Sequence, residues 1–187
     1  MNPDTTLVSD SQFDTYMDLL MSKYSDDLSV RALHSDFLKK DNKLQEAKKE
    51  LEFILSRDKN NYLIWEELLL LCNETADTVG MYKTGIEAIK YFPDQPLPYA
   101  LSGISLMMQK DFKSAMPFFQ KGVELAGDKL ELKSQFYSYL ADCYYNLDSV
   151  QQAFDMFDQV LLINPDDALV LNNYAYYLSL RDRKSVV

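Results

Sequence analysis

The chain has 187 residues, of which 47% are hydrophobic, and its net charge is −10 with an isoelectric point near 4.5. This acidity argues against a nucleic-acid partner, because binding to phosphates needs a basic face. Five glycines and six prolines separate long segments rich in Leu, Ala, Lys, Glu and Tyr, a composition that favours an all-α protein over a sheet.

Membrane and targeting signals bear on the compartment. The sequence contains no apolar run long enough to span a bilayer, and the N-terminal stretch MNPDTTLVSDSQ has neither the basic nor the apolar region of a signal peptide. As it stands the sequence therefore indicates the cytoplasm. A cell-envelope or periplasmic location would follow if a signal or lipid anchor had been removed, so the compartment stays open.

The chain begins with a polar stretch, and we expect residues 1–10 to be a flexible N-terminus. Residues 11–187 are predicted to form a single helical domain. Its first helix is expected over residues 11–24, with one apolar face made of Phe13, Met17, Leu20 and Met21. This helix looks like the second half of a helical hairpin whose first helix is missing, and it could cap the unit that follows.

Three hairpins are predicted next, beginning at Leu28, Tyr62 and Pro96. The first is the most polar, since Arg31 and His34 stand where the second hairpin has Trp65 and Leu68, and Ser35 takes the small position next to them. Asn42 with Gln45 is predicted to cap its second helix, and Asp111 is predicted to cap the second helix of the third hairpin. Gly85 lies within a predicted helix, where it costs roughly 1 kcal/mol relative to alanine and its plainest role is close contact with a neighbouring helix.

The clearest pattern runs from Tyr137 to Asp167. The first of its two helices carries apolar residues at i, i+3, i+4 and i+7, namely Tyr137, Leu140, Ala141 and Tyr144. Ser149 and Gln152 have the spacing of a capping box at the start of the second helix. That helix has the apolar residues Ala153, Phe157 and Val160, and it ends before Pro165.

This unit resembles the tetratricopeptide repeat (TPR), in the form common in bacterial proteins. Of eight consensus positions only Val160, where Ala is expected, departs from the pattern. Repeats start near residues 28, 62, 96, 134 and 168, and three of the four steps are 34 residues long. The resemblance implies a right-handed α-α superhelix with about four full repeats, an N-terminal helix and a C-terminal half repeat. It also implies a concave wall lined by the first helix of each repeat.

The resemblance further implies which residues face the groove and what they bind. The predicted groove residues are Leu70, Ile104, Met107, Asp142, Tyr145, Asn172 and Tyr176. An apolar stripe beside Tyr and Asn suits an extended or helical peptide, although burial between neighbouring helices accounts equally well for Ile104. The basic clamp by which some TPR proteins hold a terminal carboxylate is missing, since Ala32, Asp36 and Glu66 occupy candidate positions.

Enzymatic activity is not expected. The sequence has no glycine-rich phosphate loop and no His/Cys cluster with metal-ligand spacing. Its single histidine, His34, stands at a core position, and Cys72 and Cys143 read as small buried side chains. We therefore predict no catalytic residue, no cofactor and no metal, and a protein or peptide partner.

A second reading assigns the protein a structural role in assembly. The last predicted helix, beginning near Ala168, has no second helix to cover Tyr174, Tyr177 and Leu178. An uncovered apolar face favours self-association, so the sequence leaves a homodimer open. The same face would be explained if the chain were a fragment of a longer TPR lipoprotein.

Overall fold

The computed structural model of the protein describes residues 10–184, except for the side chains of Asp10, Ser11, Phe13 and residues 180–184. This part of the chain contains helices and no strands, which confirms the all-α class. The helices are α1 (Asp10–Tyr24), α2 (Leu28–Lys40), α3 (Leu44–Arg57), α4 (Tyr62–Glu74), α5 (Thr78–Tyr91), α6 (Pro96–Met108), α7 (Phe112–Ala126), α8 (Leu130–Asn146), α9 (Val150–Ile163) and α10 (Ala168–Lys184).

The helices repeat along the chain with the predicted period. Second helices of hairpins begin at residues 44, 78, 112 and 150, and α1 begins at residue 10, one period of 34 earlier. The register of α1 is therefore that of a second helix. The expected flexible N-terminus lies outside the described residues, apart from Asp10, at which α1 begins.

Helix α8 begins about one turn earlier in its repeat than the other first helices do. Helix α8 has 17 residues, whereas α2, α4 and α6 have 13 each. The extra residues lie at the start of α8. They therefore lengthen the helix by about one turn and do not disturb the turns on either side.

Four equivalent three-residue turns each contain one non-glycine residue with positive φ: Asn42, Ala76, Lys110 and Asp148. The next residue donates its N–H to a carbonyl five residues back, as Lys43 does to Leu38 at 2.8 Å and Ser149 does to Tyr144 at 2.9 Å. These bonds are those of a Schellman motif, in which the main chain itself satisfies the carbonyls at a helix end.

This geometry corrects the two predicted capping boxes. Asn42 is the left-handed residue of its turn, and neither Lys43 nor Ser149, which precede α3 and α9, makes a side-chain capping bond. The predicted cap at Asp111 is confirmed, since its side chain accepts the N–H of Ser114 at 3.1 Å. Asp77, which the sequence reading missed, caps α5 in the same way.

Contacts between residues divide the chain into two compact units, unit 1 with residues 1–71 and unit 2 with residues 72–187. The expectation of a single domain over residues 11–187 stays a prediction.

In unit 1, α1 lies on α2 and α2 lies on α3. The polar residues of α2 are explained by one carboxylate on α3. Arg31 Nη1 donates to Glu50 Oε2 at 2.7 Å, and His34 Nδ1 lies 3.0 Å from Glu50 Oε1. The Arg31 guanidinium also covers the ring of Phe53 at 4.1 Å. A polar network therefore takes the place of the apolar contacts found in the other hairpins.

In unit 2, each helix from α5 to α10 lies against the next, and glycines let some of these helices approach closely. A Cβ added to Gly85 would lie 2.1 Å from Ser102 Oγ on α6. A Cβ added to Gly122 would lie 2.1 Å from the ring of Phe136 on α8. The close contact predicted at Gly85 is confirmed, and the one at Gly122 was not predicted from the sequence.

Candidate partner-binding face

The predicted groove residues of unit 2 lie on its three first helices, α6, α8 and α10. Helix α6 contacts α8, and side chains join α8 to α10. The residues are Ile104 and Met107 on α6, Asp142 and Tyr145 on α8, and Asn172 and Tyr176 on α10. We call this set the α6–α8–α10 face. The seventh predicted residue, Leu70, belongs to unit 1, where its side chain is exposed.

Tyr177 connects the polar residues of this face. Its ring stacks on that of Tyr145 with centroids 3.6 Å apart, and its hydroxyl donates to Asp142 Oδ1 at 3.3 Å. The ring of Tyr176 lies 5.6 Å from that of Tyr177 and is tilted by 55°. Tyr176 is 57% exposed and Asn172 is exposed. The structure thus gathers one carboxylate and three tyrosine rings, two of them partly covered and one open to solvent.

The Asp142 carboxylate is half-buried and has no basic partner among the described residues. Burial raises its pKa above the usual 3.8, and the hydrogen bond from Tyr177 offsets part of that rise. Burial also raises the pKa of Tyr177 to about 12, with a smaller contribution from Asp142. Burial raises the pKa of the neighbouring Cys143 thiol to about 12 as well, so this thiol is a poor nucleophile.

The apolar residues of the face, Ile104 and Met107, pack against the core on one side and keep some contact with solvent on the other. Ile104 and Met107 are partly buried and pack against the core cluster that contains Leu106, Phe119 and Phe136. Core packing therefore accounts for part of their apolar character, as the alternative reading of Ile104 expected. The part of each side chain left in contact with solvent can still meet a partner.

The proposed self-association residues differ from the expectation. Tyr174 packs on Phe154 at 4.8 Å and on Phe157 at 5.7 Å, and Tyr177 packs on Phe157 at 5.8 Å. The expectation that these two tyrosines lack a neighbour is therefore wrong. Val170, Tyr174 and Tyr177 have the spacing i, i+4, i+7, so the sequence did carry the signal for an inward face. Leu178 is exposed.

The described residues contain no group of three or more His, Cys, Asp and Glu placed to hold a metal ion. None of their helices combines the length and the apolarity needed to cross a bilayer. Both cysteines in this part of the chain are buried thiols.

Replacing Asp142 with asparagine is expected to raise stability at neutral pH. Since burial raises the folded-state pKa of Asp142, ionisation costs more in the folded protein than in the unfolded chain. The variant should match the wild type below pH 3.8 and become the more stable of the two as pH rises through the folded-state pKa. Asparagine can still accept the hydrogen bond from Tyr177. Urea unfolding of both proteins at several pH values measures this, and a wild type that gains on the variant with rising pH would contradict it.

Solved structures with this fold were found by comparison. MamA from Desulfovibrio magneticus RS-1 is 15% identical, with 84% of this chain and 86% of that chain covered and a TM-score of 0.73. The C-terminal part of a TPR repeat-containing protein from Cytophaga hutchinsonii is 13% identical, with 87% and 66% covered and a TM-score of 0.72. A thermophilic TPR protein from Thermus thermophilus is 13% identical, with 90% and 91% covered and a TM-score of 0.59.

No family model and no curated protein matches the chain. The likeness to solved structures therefore shows the fold alone, because these identities are low. It agrees with the period of the helices and with the repeated turns. The chain folds as a helical repeat protein of the TPR type.

Proposed function

We propose that the protein is a non-enzymatic interaction scaffold whose α6–α8–α10 face binds a segment of a protein partner. One observation carries the proposal. The half-buried Asp142 carboxylate, which has no basic partner in the described chain, accepts a hydrogen bond from Tyr177, whose ring lies 5.6 Å from that of the exposed Tyr176. A buried charge without a counter-ion is costly, and a cationic partner residue would relieve that cost.

The side chains of the α6–α8–α10 face indicate which kind of partner segment would bind there. Tyrosine rings next to a carboxylate attract the ammonium of Lys or the guanidinium of Arg. The Asn172 amide can both donate to and accept from a peptide main chain. Ile104 and Met107 offer apolar contact. The preferred segment therefore carries Lys or Arg with apolar residues beside it, and the net charge of −10 attracts it over longer range.

Replacing Tyr176 with alanine is expected to weaken peptide binding by about 10- to 30-fold, since exposed aromatic anchors dominate such interfaces. Random linear peptides displayed on phage are first selected on the wild-type protein. Dissociation constants of the selected synthetic peptides are then measured by calorimetry. Peptides that bind the face should carry Lys or Arg and should lose affinity in Tyr176→Ala and in Asp142→Asn.

Two control variants make the result specific. Leu162 on α9 is exposed and lies outside the face, so Leu162→Ala should bind like the wild type. Tyr176→Phe keeps the ring and should keep most of the affinity. If Leu162→Ala weakens binding as much as Tyr176→Ala does, or if no selected peptide responds to either change on the face, the proposal is wrong. Leu70→Ala, run in the same assay, tests the predicted contribution of unit 1.

A further inference from the structure

A cavity of about 410 Å³ opens on unit 2, between the start of α8 and the turn that joins α9 to α10. Its volume lies within the range of small-ligand sites. One wall belongs to α8, and the other is formed by the end of α9 and the turn that follows. The lining residues are Glu131, Ser134 and Gln135 on the first wall and Ile163, Asn164 and Asp167 on the second.

The first wall depends on the early start of α8. The other first helices begin at the predicted repeat starts, whereas α8 begins at Leu130, about one turn before the start predicted at residue 134. Glu131 lies in this additional turn. Residues 131, 134 and 135 are three and four positions apart and share one face of the helix. Lys133 lies on the far side, because each residue advances the helix by about 100°.

The hydroxyl of Ser134 is a nearly buried polar group without a protein partner. Ser134 is 8% exposed, and its Oγ makes no hydrogen bond to any described residue. Helical serines commonly bond the carbonyl four residues back, as Ser138 Oγ does to the Ser134 carbonyl at 3.1 Å. Among the described side chains, only Ser102 Oγ is both fully enclosed and unpartnered. Ser134 Oγ therefore keeps contact with the cavity, where a ligand can bond it.

The cavity also contains two carboxylates. Glu131 forms no ion pair within the part of the chain that the structure describes. Asp167 Oδ1 accepts the N–H of Val170 at 3.0 Å, but its Oδ2 has only a long contact of 3.5 Å from Asn164 Nδ2. Residues 134–179 contain six Asp and no Lys, Arg or His. The starts of α8 and α10 each carry about half a positive charge, which two carboxylate charges outweigh.

We infer that this cavity binds a guanidinium group, held between the carboxylates of Glu131 and Asp167. A guanidinium is planar and has five N–H donors in a fork, so it can bond acceptors on both walls. Its bonds to carboxylates are charge-assisted and strong. Ser134 Oγ accepts a further N–H, and Ile163 gives apolar contact to the methylene stem.

Other cations fit the cavity less well. An ammonium is a compact charge with three donors, and it leaves acceptors on one wall unpaired. A metal ion would need more ligands, since the described residues offer two carboxylates here and no group of three metal-binding side chains. The guanidinium can come from an arginine side chain of a partner protein or from a free small guanidine. The inference does not depend on the α6–α8–α10 face.

Nuclear magnetic resonance of the ¹⁵N-labelled full chain tests the inference with two probes, N-acetylarginine amide and agmatine. The amides of residues 131–135 and 163–168 should shift and saturate, with a dissociation constant on the order of 1 mM for a ligand of this size. Tighter binding of N-acetylarginine amide indicates an arginine within a protein, and tighter binding of agmatine indicates a free guanidine. N-acetyllysine amide should bind at least about 5-fold more weakly than N-acetylarginine amide.

Matched variants locate the binding. Glu131→Gln and Asp167→Asn should each weaken it by about 10-fold, and asparagine still caps α10. Asp155→Asn makes the same charge change at an exposed residue of α9 outside the cavity and should bind like the wild type. Ser134→Ala should weaken binding by about 3-fold without lowering the urea midpoint, because the hydroxyl bonds no other described residue.

Four results would overturn the inference. The shifts may fail to saturate or may spread evenly over the acidic surface, which indicates general charge attraction. Asp155→Asn may weaken binding as much as Glu131→Gln does, with the same meaning. N-acetyllysine amide may bind as tightly as N-acetylarginine amide, which shows a site for any cation. Calcium chloride may shift the same amides at lower concentration, which shows a metal site. Tyr176→Ala should leave guanidinium binding unchanged, so this test and that of the α6–α8–α10 face fail or succeed separately.

Discussion

Replacing Gly122 with alanine is expected to lower the free energy of unfolding of unit 2 by about 3 kcal/mol. Two opposing effects decide the sign. Alanine favours a helix over glycine by about 1 kcal/mol. Against this gain, the new Cβ would lie 2.1 Å from the Phe136 ring, which is fully enclosed and packs near Phe119 and Tyr139. Since the ring has no space into which it can retreat, α7 and α8 must separate.

Urea unfolding followed by circular dichroism measures the loss, and amide hydrogen exchange shows whether α7 and α8 lose protection first. Gln120→Ala changes an exposed residue of the same helix and should leave stability within about 0.5 kcal/mol of the wild type. Adding Phe136→Leu to Gly122→Ala removes the overlap. Phe136→Leu should therefore lower the free energy of unfolding much less in the Gly122→Ala protein than in the wild type. A Gly122→Ala variant as stable as the wild type would mean that the two helices are not held in close contact.

The same helix pair shows what the sequence could predict about the fold. Periodicity placed both helices, because apolar spacing and turn residues are local properties. It did not mark Gly122 as a close-contact residue. It could not say that Phe136 covers this glycine, because that pairing depends on how residues on two different helices meet in space.

The caps were predicted less well, for a related reason. Asn42 and Ser149 are residues that commonly cap helices by their side chains. In this chain the main-chain bonds of the Schellman turn already satisfy the helix ends. A residue at that place needs only to tolerate its backbone conformation, so alanine at Ala76 and lysine at Lys110 serve as well as asparagine.

The sequence predicted the individual residues of the α6–α8–α10 face, but it assigned Tyr177 to the uncovered face of the last helix. Asp142, Tyr145 and Tyr176 were expected on the same face, but Tyr177, which joins them, was expected to be bare. One position along a helix turns a side chain by about 100°, and Tyr177 therefore points towards α8 and α9 while Tyr176 stays exposed. Sequence alone could not reveal the Asp142–Tyr177 hydrogen bond, since the two residues are 35 positions apart.

Replacing Glu50 with alanine is expected to lower the free energy of unfolding of unit 1 by about 3 kcal/mol. Its side chain is largely buried and bonds both Arg31 and His34 on α2. Removing the carboxylate leaves the partly buried Arg31 charge without its counter-ion, and this loss exceeds that of any exposed ion pair. Urea unfolding near neutral pH measures the effect. Glu52→Ala, at an exposed residue of the same helix, is the matched control and should be nearly neutral.

A triple variant separates two quantities: what the polar network contributes to the free energy of unfolding, and what is lost when only one of its members is removed. Arg31→Leu, His34→Leu and Glu50→Met together restore apolar residues where the repeat pattern has them. Because a buried ion pair contributes little more than well-packed apolar groups, the triple variant should recover most of the stability that Glu50→Ala loses. If Glu50→Ala proves as harmless as Glu52→Ala, the network does not hold α2 to α3. If the triple variant stays as unstable as Glu50→Ala, the polar residues are required by the shape of this hairpin and are not a replacement for apolar packing.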